Sequence, residues 1–249
     1  MHCFDWTYAQ IKEELPNIAA AGFSAVQTSP AHPREPVGAA WYMLYQPYDY
    51  KVGENGLGTK EGLTELCTKA HQYGVKIIVD VVANHTNGSL SYVASFWQDQ
   101  SLYHDYQGGI DYSNRWQVTH GRLGMWDLKT EDSRVQEKIK EYVAELKSCG
   151  VDGIRWDAAK HIGLPSEGDT FWQNVPDQTM YNYGEILDGT GGDDTVSEKV
   201  EVVSQTTGVQ LHPVAGESSA KAMIYNLQGQ RVDANYHGVV VCNGRKYVQ

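Results

Sequence analysis

The stretch "VKIIVDVV", residues 75–82, is a nearly unbroken run of β-branched side chains. Such a run fits a parallel strand covered on both faces, since a strand with one wet face alternates apolar and polar residues. Parallel neighbours need crossover connections, usually helices, and the flanking chain supplies them. A helical pattern over Tyr8 to Ala21 stops at Gly22, and "FSAVQTSP" (23–30) reads as a strand ended by Pro30. Thr59 to Tyr73 places Leu63, Leu66, Ala70 and Tyr73 on one helical face, with Gly74 as the stop. Ser133 and Gln136 form a capping-box pattern that opens a further helix. Its apolar face is Val135, Ile139, Val143 and Leu146, and Gly150 ends it. "HCFDW" (2–6), "VDGIRWD" (151–157) and "YNYGEIL" (181–187) bring the strand candidates to five. Strands alternating with helices predict a parallel α/β fold.

Residues 84–126 are polar, aromatic and irregular, as expected of a functional loop or a small inserted subdomain. Beyond Leu187 the alternation ends. "DGTGGDD" (188–194) is linker-like, and "VVVCNGRKYV" (239–248) predicts a hairpin with Asn243-Gly244 at a type I′ turn. A boundary near residue 195 therefore separates a parallel domain, 1–194, from a small β-rich region, 195–249.

The formal charge of −11 argues against a phosphate-binding surface, so no nucleic-acid partner is expected. No apolar run reaches the roughly 18 residues of a membrane span, and no membrane partner is expected either. The start of the chain has no basic, then apolar, signal-peptide pattern. Cys3, Cys67, Cys149 and Cys242 lie far apart without CxxC spacing and read as buried thiols rather than a zinc site or disulfide framework. Sixteen Tyr and seven Trp offer flat faces with polar edges, which suit sugar rings and ordinary cores alike.

Three strand candidates end in acids: Asp80, Asp157 and Glu185. In a parallel βα barrel the carboxyl ends of the strands share one rim, and the rim holds the chemistry. Helix capping or a nearby cation would account for one such acid more easily than for three. Arg155 and Asp157, two apart on a strand, face the same side. An adjacent guanidinium would hold Asp157 ionised, as a nucleophile requires. Glu185 has no cation near it in sequence and lies in an apolar, Tyr-rich stretch, so burial is expected to keep it protonated as a general acid. An ionised nucleophile with a protonated acid is the apparatus of a retaining glycosidase.

"DVVANH" (80–85), "GIRWDAAKH" (153–161) and "GEIL" (184–187) resemble three of the four signature regions of the α-amylase family, glycoside hydrolase family 13. "AGFSAVQTSPAHP" and "WYMLYQPYDYKVGENGLGT" resemble its second-strand region and substrate-stacking segment, so the likeness covers roughly residues 2 to 194. It implies a TIM-type (β/α) barrel, incomplete at about five βα units, with an inserted subdomain and a β-rich appendage. It also implies hydrolysis of α-1,4-glucans such as starch and maltooligosaccharides. Asp157 would be the nucleophile, Glu185 the acid/base, Arg155 the residue orienting Asp157, and Asp80 a brace. Trp41, Tyr42, Tyr45 and Gln46 would line the glucosyl sites. His85 would bond the sugar at the cleavage point, and Lys160 and His161 would reach the leaving-group side. Calcium is the implied cofactor, held by the Asn84 and Asp127 side chains and the His161 carbonyl. A secreted or periplasmic location follows from the same resemblance.

The chain departs from the family in one signature. The expected His-Asp pair near a seventh strand is absent, since the one such pair, His104-Asp105, lies in the inserted loop. The third catalytic carboxylate thus has no match. Three further βα units of about 30 residues each would also need more chain than there is beyond Leu187. The residues support two readings: a glucan hydrolase, impaired or not, and a starch-binding or vestigial protein without efficient turnover. An open barrel leaves sheet edges, so a homodimer or higher association is expected.

Overall fold

A computed structural model of the chain describes residues 1–34, 40–106 and 108–186, and the backbone of four short strands between 224 and 248. The strands β1 (His2–Cys3), β2 (Ala25–Thr28), β3 (Lys76–Val82), β4 (Gly153–Asp157) and β5 (Tyr181–Gly184) form one sheet in the order β1-β2-β3-β4-β5. Every pairing in it is parallel. Helices α1 (Tyr8–Ala20), α2 (Lys60–Gln72) and α4 (Ser133–Ser148) lie in the crossovers, joined by the short α3 (Arg115–His120) and α5 (Phe171–Asn174). Strand order that follows chain order without reversal is barrel winding, not the doubly wound pattern.

The sheet curls. The Tyr183 hydroxyl on β5 donates to the Gln27 amide oxygen on β2 at 2.5 Å, although β3 and β4 lie between them. In a flat sheet those strands would stand about 14 Å apart. Alternate residues on each strand therefore divide between an inner face (Gln27, Asp80, Arg155, Tyr183) and an outer face. The outer set, Val26, Ile77, Val79, Val81, Ile154 and Trp156, packs in one apolar core with Ile11, Leu15 and Ile18 of α1, Leu63 and Leu66 of α2, and Ile139, Val143 and Leu146 of α4. That is the arc of an incomplete (β/α) barrel.

Helix ends follow the sequence closely, with two corrections. Gly74 (φ +68) and Gly150 (φ +93) sit just past α2 and α4 in the left-handed conformation that a Cβ disfavours. Tyr73, expected on the apolar face of α2, lies past its last residue and is exposed, and Cys67 is buried in its place. The Ser133/Gln136 capping box does not form. Asp132 is the N-cap, accepting from the Arg134 amide at 2.8 Å. Gln136 is buried and donates to the Thr130 carbonyl at 2.8 Å and to the Thr170 hydroxyl, at the start of α5, at 3.1 Å. Asp132→Ala should therefore cost about 1 kcal/mol, a Tm loss of roughly 2–4 °C, with Ser133→Ala near neutral. Thermal melts giving the reverse order would restore Ser133 as the cap.

The inserted segment holds short 3-10 turns and α3 around buried Trp97 and Tyr103. Isolated bridges, His85 to Asp127 and Tyr103 to Leu128, tie it to the chain before α4. Cys3, Cys67 and Cys149 are free, buried thiols.

The chain divides into two units, 1–207 and 208–249. In the second, β6 (Ile224–Asn226), β7 (Arg231–Val232), β8 (Val239–Cys242) and β9 (Arg245–Val248) form an antiparallel sheet ordered β7-β6-β8-β9. Cys242 pairs with Arg245, the register a two-residue hairpin requires. The expected turn conformation at Asn243-Gly244 and the boundary near residue 195 lie outside the described residues.

Candidate active site

Register builds the site. β3 and β4 pair so that Asp80 lies beside Arg155, and β4 and β5 so that Arg155 lies beside Tyr183. Asp80, Arg155 and Asp157 thus project from the inner face toward the carboxyl ends of the strands, and Glu185 follows immediately after β5. One guanidinium gathers all three acids. Arg155 Nη1 donates to Asp80 Oδ1 and Oδ2 at 2.8 and 2.7 Å and to Asp157 Oδ1 at 2.8 Å. Its Nη2 lies 2.5 Å from Glu185 Oε1. The Ala158 amide donates to Glu185 Oε2 at 3.2 Å, from a residue held at a positive φ of 50°. The Tyr45 hydroxyl donates to Asp80 Oδ2 at 3.1 Å.

A single cation cannot offset three acids in so dry a place. Burial pushes the Asp157 carboxyl up to about 7, the Asp80 charge adds to this, and Arg155 opposes it. Burial likewise raises Asp80 to about 6 against Arg155 and Tyr45. Two expectations are corrected here. Arg155 does not by itself hold Asp157 in the usual carboxylate range, because burial and then the Asp80 charge outweigh it. Nor is Glu185 without a cation, because β5 pairs with β4 and brings it to Arg155.

The acids open into a cleft of about 540 Å³, lined by His2, Phe4, Trp41, Tyr45, Asp80, His85, Tyr112, Leu123, Met125, Arg155, Asp157, Ala158, Lys160, His161 and Glu185. One wall is aromatic. Phe4 stacks against Tyr45 at 6.3 Å between ring centres, and Trp41 meets Phe4 at 5.4 Å. Trp41 is 53% exposed, an open face that suits a sugar ring. Across the cleft, the Lys160 ammonium sits 5.0 Å from the centre of the Tyr112 ring.

Of the expected sugar-binding residues, Trp41, Tyr45, His85, Lys160 and His161 line the cleft, whereas Tyr42 and Gln46 do not. Tyr42 is exposed at the far edge of Trp41, and Gln46 accepts a bond from Asn87. Burial pushes His85 down to about 4, and its Nε2 donates to the Tyr45 carbonyl at 3.0 Å. That proton is committed to the main chain. Sequence reasoning missed His2 and Phe4, although Phe4 directly follows the two-residue β1 that His2 opens, at the carboxyl end of the strand. Tyr112, Leu123 and Met125 come from the aperiodic insertion, where no spacing signals a position.

The expected metal ligands Asn84 and Asp127 are in contact, the Asn84 amide donating to Asp127 Oδ1 at 3.0 Å. His104 Nδ1 donates to Asp127 Oδ2 at 2.6 Å. Among the described residues no three His, Cys, Asp or Glu side chains form a metal-holding group. The expected set contains one carboxylate, the rest being amide and carbonyl oxygens. Those hard oxygens fit calcium in kind. Burial raises Asp127 to about 6, with His104 and Asn84 opposing it. Against burial, Asp127 and Glu131 in turn raise His104 to about 9, so a positive charge already sits beside Asp127.

A family model described as alpha amylase, catalytic domain, matches residues 7–238. An α-amylase from Clostridium acetobutylicum is 39% identical over 208 residues, covering 75% of this chain and 27% of its own length. One from Thermomonospora curvata is 34% identical over 189 residues, 68% of this chain and 31% of its own. The chain thus spans about a quarter to a third of these relatives' length. The solved α-amylase of Malbranchea cinnamomea is similar at a TM-score of 0.62 and 29% identity, over 74% of this chain and 41% of that one. α-Amylase I of Eisenia fetida, solved with maltohexaose, has a TM-score of 0.68 at 24% identity, over 77% and 45%, a likeness of fold alone.

Proposed function

Because the chain belongs to the α-amylase family, we propose that it is a retaining glycoside hydrolase acting on the α-1,4-glucosidic bonds of starch-type glucans. The observation that carries this reading is the attachment of Asp157 and Glu185 to one guanidinium. Two carboxyls held by a single Arg side chain share one small site, which supports reading them as the nucleophile and acid/base pair of a retaining enzyme.

In the first step the Asp157 carboxylate attacks the anomeric carbon while Glu185 gives its proton to the departing glycosidic oxygen. A glycosyl ester on Asp157 results. Glu185 then takes a proton from water, whose oxygen attacks the same carbon and releases Asp157. Arg155 steadies both carboxyls, Asp80 anchors Arg155, and Tyr45 with Trp41 and Phe4 presents a stacking wall for glucosyl rings. Lys160 and His161 serve the leaving-group side, and His85 reaches the sugar by exchanging its bond to the Tyr45 carbonyl.

A second reading is a starch- or maltooligosaccharide-binding protein without efficient turnover, which the half-exposed face of Trp41 beside Phe4 and Tyr45 would serve equally well. Release of reducing sugar from soluble starch decides between them. Wild-type release well above that of Asp157→Asn supports the enzyme. Equal rates in the two would leave the binding reading.

Calcium enters the proposal as a structural ligand at Asn84, Asp127 and the His161 carbonyl, supplying positive charge that ties the inserted segment to the barrel. A ligand bound only by the folded state stabilises it by mass action. Added calcium should therefore raise Tm by several degrees, and Asp127→Asn should abolish the rise. A melt indifferent to both calcium and chelator would remove the metal.

The proposal also keeps residues 1–194 as the catalytic part, a secreted or periplasmic location suited to a polymeric substrate, and self-association. Within the described residues β1 and β5 each pair on one side only, and open edges recruit further strands. Light scattering at micromolar concentration should show a dimer or larger species, and a clean monomer would dismiss it.

A further inference from the structure

α3 and the 3-10 turn at Ala159–His161 grip each other. Arg115, the first residue of α3, turns its guanidinium onto this junction. Its Nη1 donates to the Lys160 carbonyl, and its Nη2 donates to the Ile162 carbonyl at 3.0 Å. The main chain is thereby clamped on both sides of His161. The remaining donors meet Glu167, Nε to Oε1 at 2.8 Å and Nη2 to Oε2 at 2.9 Å. Glu167 Oε2 also accepts from the Leu164 amide at 2.8 Å, which fixes the carboxylate. In return, His161 Nδ1 donates to the Val118 carbonyl of α3 at 2.8 Å. The clamped turn carries Lys160 and His161 into the cleft, where both contact Tyr112, His161 through its ring edge at 5.9 Å.

We infer that Arg115 is a positioning residue that sets the affinity of the cleft for sugar units on the leaving-group side, through the placement of Lys160 and His161. The inference rests on the hydrolase reading above. Arg115 lies outside the cleft lining and does not touch the acids, so it acts on binding and on where the chain is cut, not on the chemical step. A planar guanidinium reaches two carbonyls and a carboxylate at once, which a lysine's single ammonium cannot do in the same geometry.

The test compares wild type with Arg115→Lys, Arg115→Met and Glu167→Gln at fixed calcium, using end-labelled maltohexaose and maltoheptaose. Expected results are a KM raised about tenfold, the equivalent of one lost ordered contact, with kcat within about twofold. The cut sites should also move, toward products with fewer units on the leaving-group side. Lysine should recover part of the wild-type pattern, and Glu167→Gln should give a smaller shift in the same direction. A merely structural role would lower Tm and scale kcat while leaving the cut sites unchanged, and that outcome would overturn the inference. Should Arg115→Met fail to fold, the Lys and Gln variants carry the same comparison. A wild type that releases no sugar would instead remove the hydrolase reading, and this inference with it.

Discussion

Glu185→Gln should lower the rate of starch hydrolysis by about 10²- to 10⁴-fold, the usual worth of a positioned general acid, with little loss of Tm. Gln keeps the shape of Glu185 and its one amide oxygen can still accept from Arg155 or from the Ala158 amide, but it has no acidic proton to give the leaving oxygen. Asp157→Asn should be at least as severe, since the amide is a poor nucleophile. Near-normal turnover by Glu185→Gln would show that another group protonates the glycoside.

The pH profile tests the same pair from another side. Attack requires ionised Asp157, whose carboxyl is raised to about 7 by burial and by Asp80. The acid limb of kcat/KM should accordingly lie near pH 7, well above an ordinary carboxylate's. Asp80→Asn removes the charge that opposes ionisation and frees Arg155 for Asp157, so the limb should move downward. A limb near pH 4 in the wild type would mean that the cluster is better solvated than its burial indicates.

Arg155→Met should cost about 3–5 kcal/mol near neutral pH, the usual penalty for removing one partner of a buried ion pair. The side chain is only 12% exposed and its partner Asp80 is fully buried. The loss should depend on pH with a definite sign. Asp80 and Asp157 titrate at about 6 and 7 in the folded protein, so near pH 5 both are largely protonated and have little need of a cation. Above pH 7 both are ionised and the missing guanidinium is felt in full. Melts at pH 5 and pH 8 should show the larger difference from wild type at pH 8. Equal losses at the two values would assign the effect to packing of the side chain instead of its charge.

Much of the scaffold was legible because its signals are local. A β-branched run can be read residue by residue, as at Lys76–Val82, and so can a stripe such as Val135, Ile139, Val143 and Leu146, or a glycine that must stop a helix, as at Gly150. The capping error at Ser133 has the opposite cause. The motif permitted Ser133 to cap, but Asp132 holds the N-cap and Gln136 is drawn to Thr170 at the start of α5, more than thirty residues away. Phe4 shows a middle case, since its position after β1 marked the rim but not the wall it shares with Tyr45 and Trp41.

By itself, the order of residues determined that strands ending in Asp80, Asp157 and Glu185 belong to one parallel arc, and that Arg155 shares a face with Asp157. Strand periodicity and chain order decide such things without reference to distant contacts. Only the tertiary structure decided how the charges balance. Glu185 found the same guanidinium as Asp80 and Asp157 because sheet register, invisible in sequence, set β5 beside β4. Burial then raised Asp157 to about 7, so that its ionisation turns on pH near neutrality. A carboxyl's proton affinity depends on every charge and solvent path within a few ångströms, and folding chooses those neighbours from the whole chain.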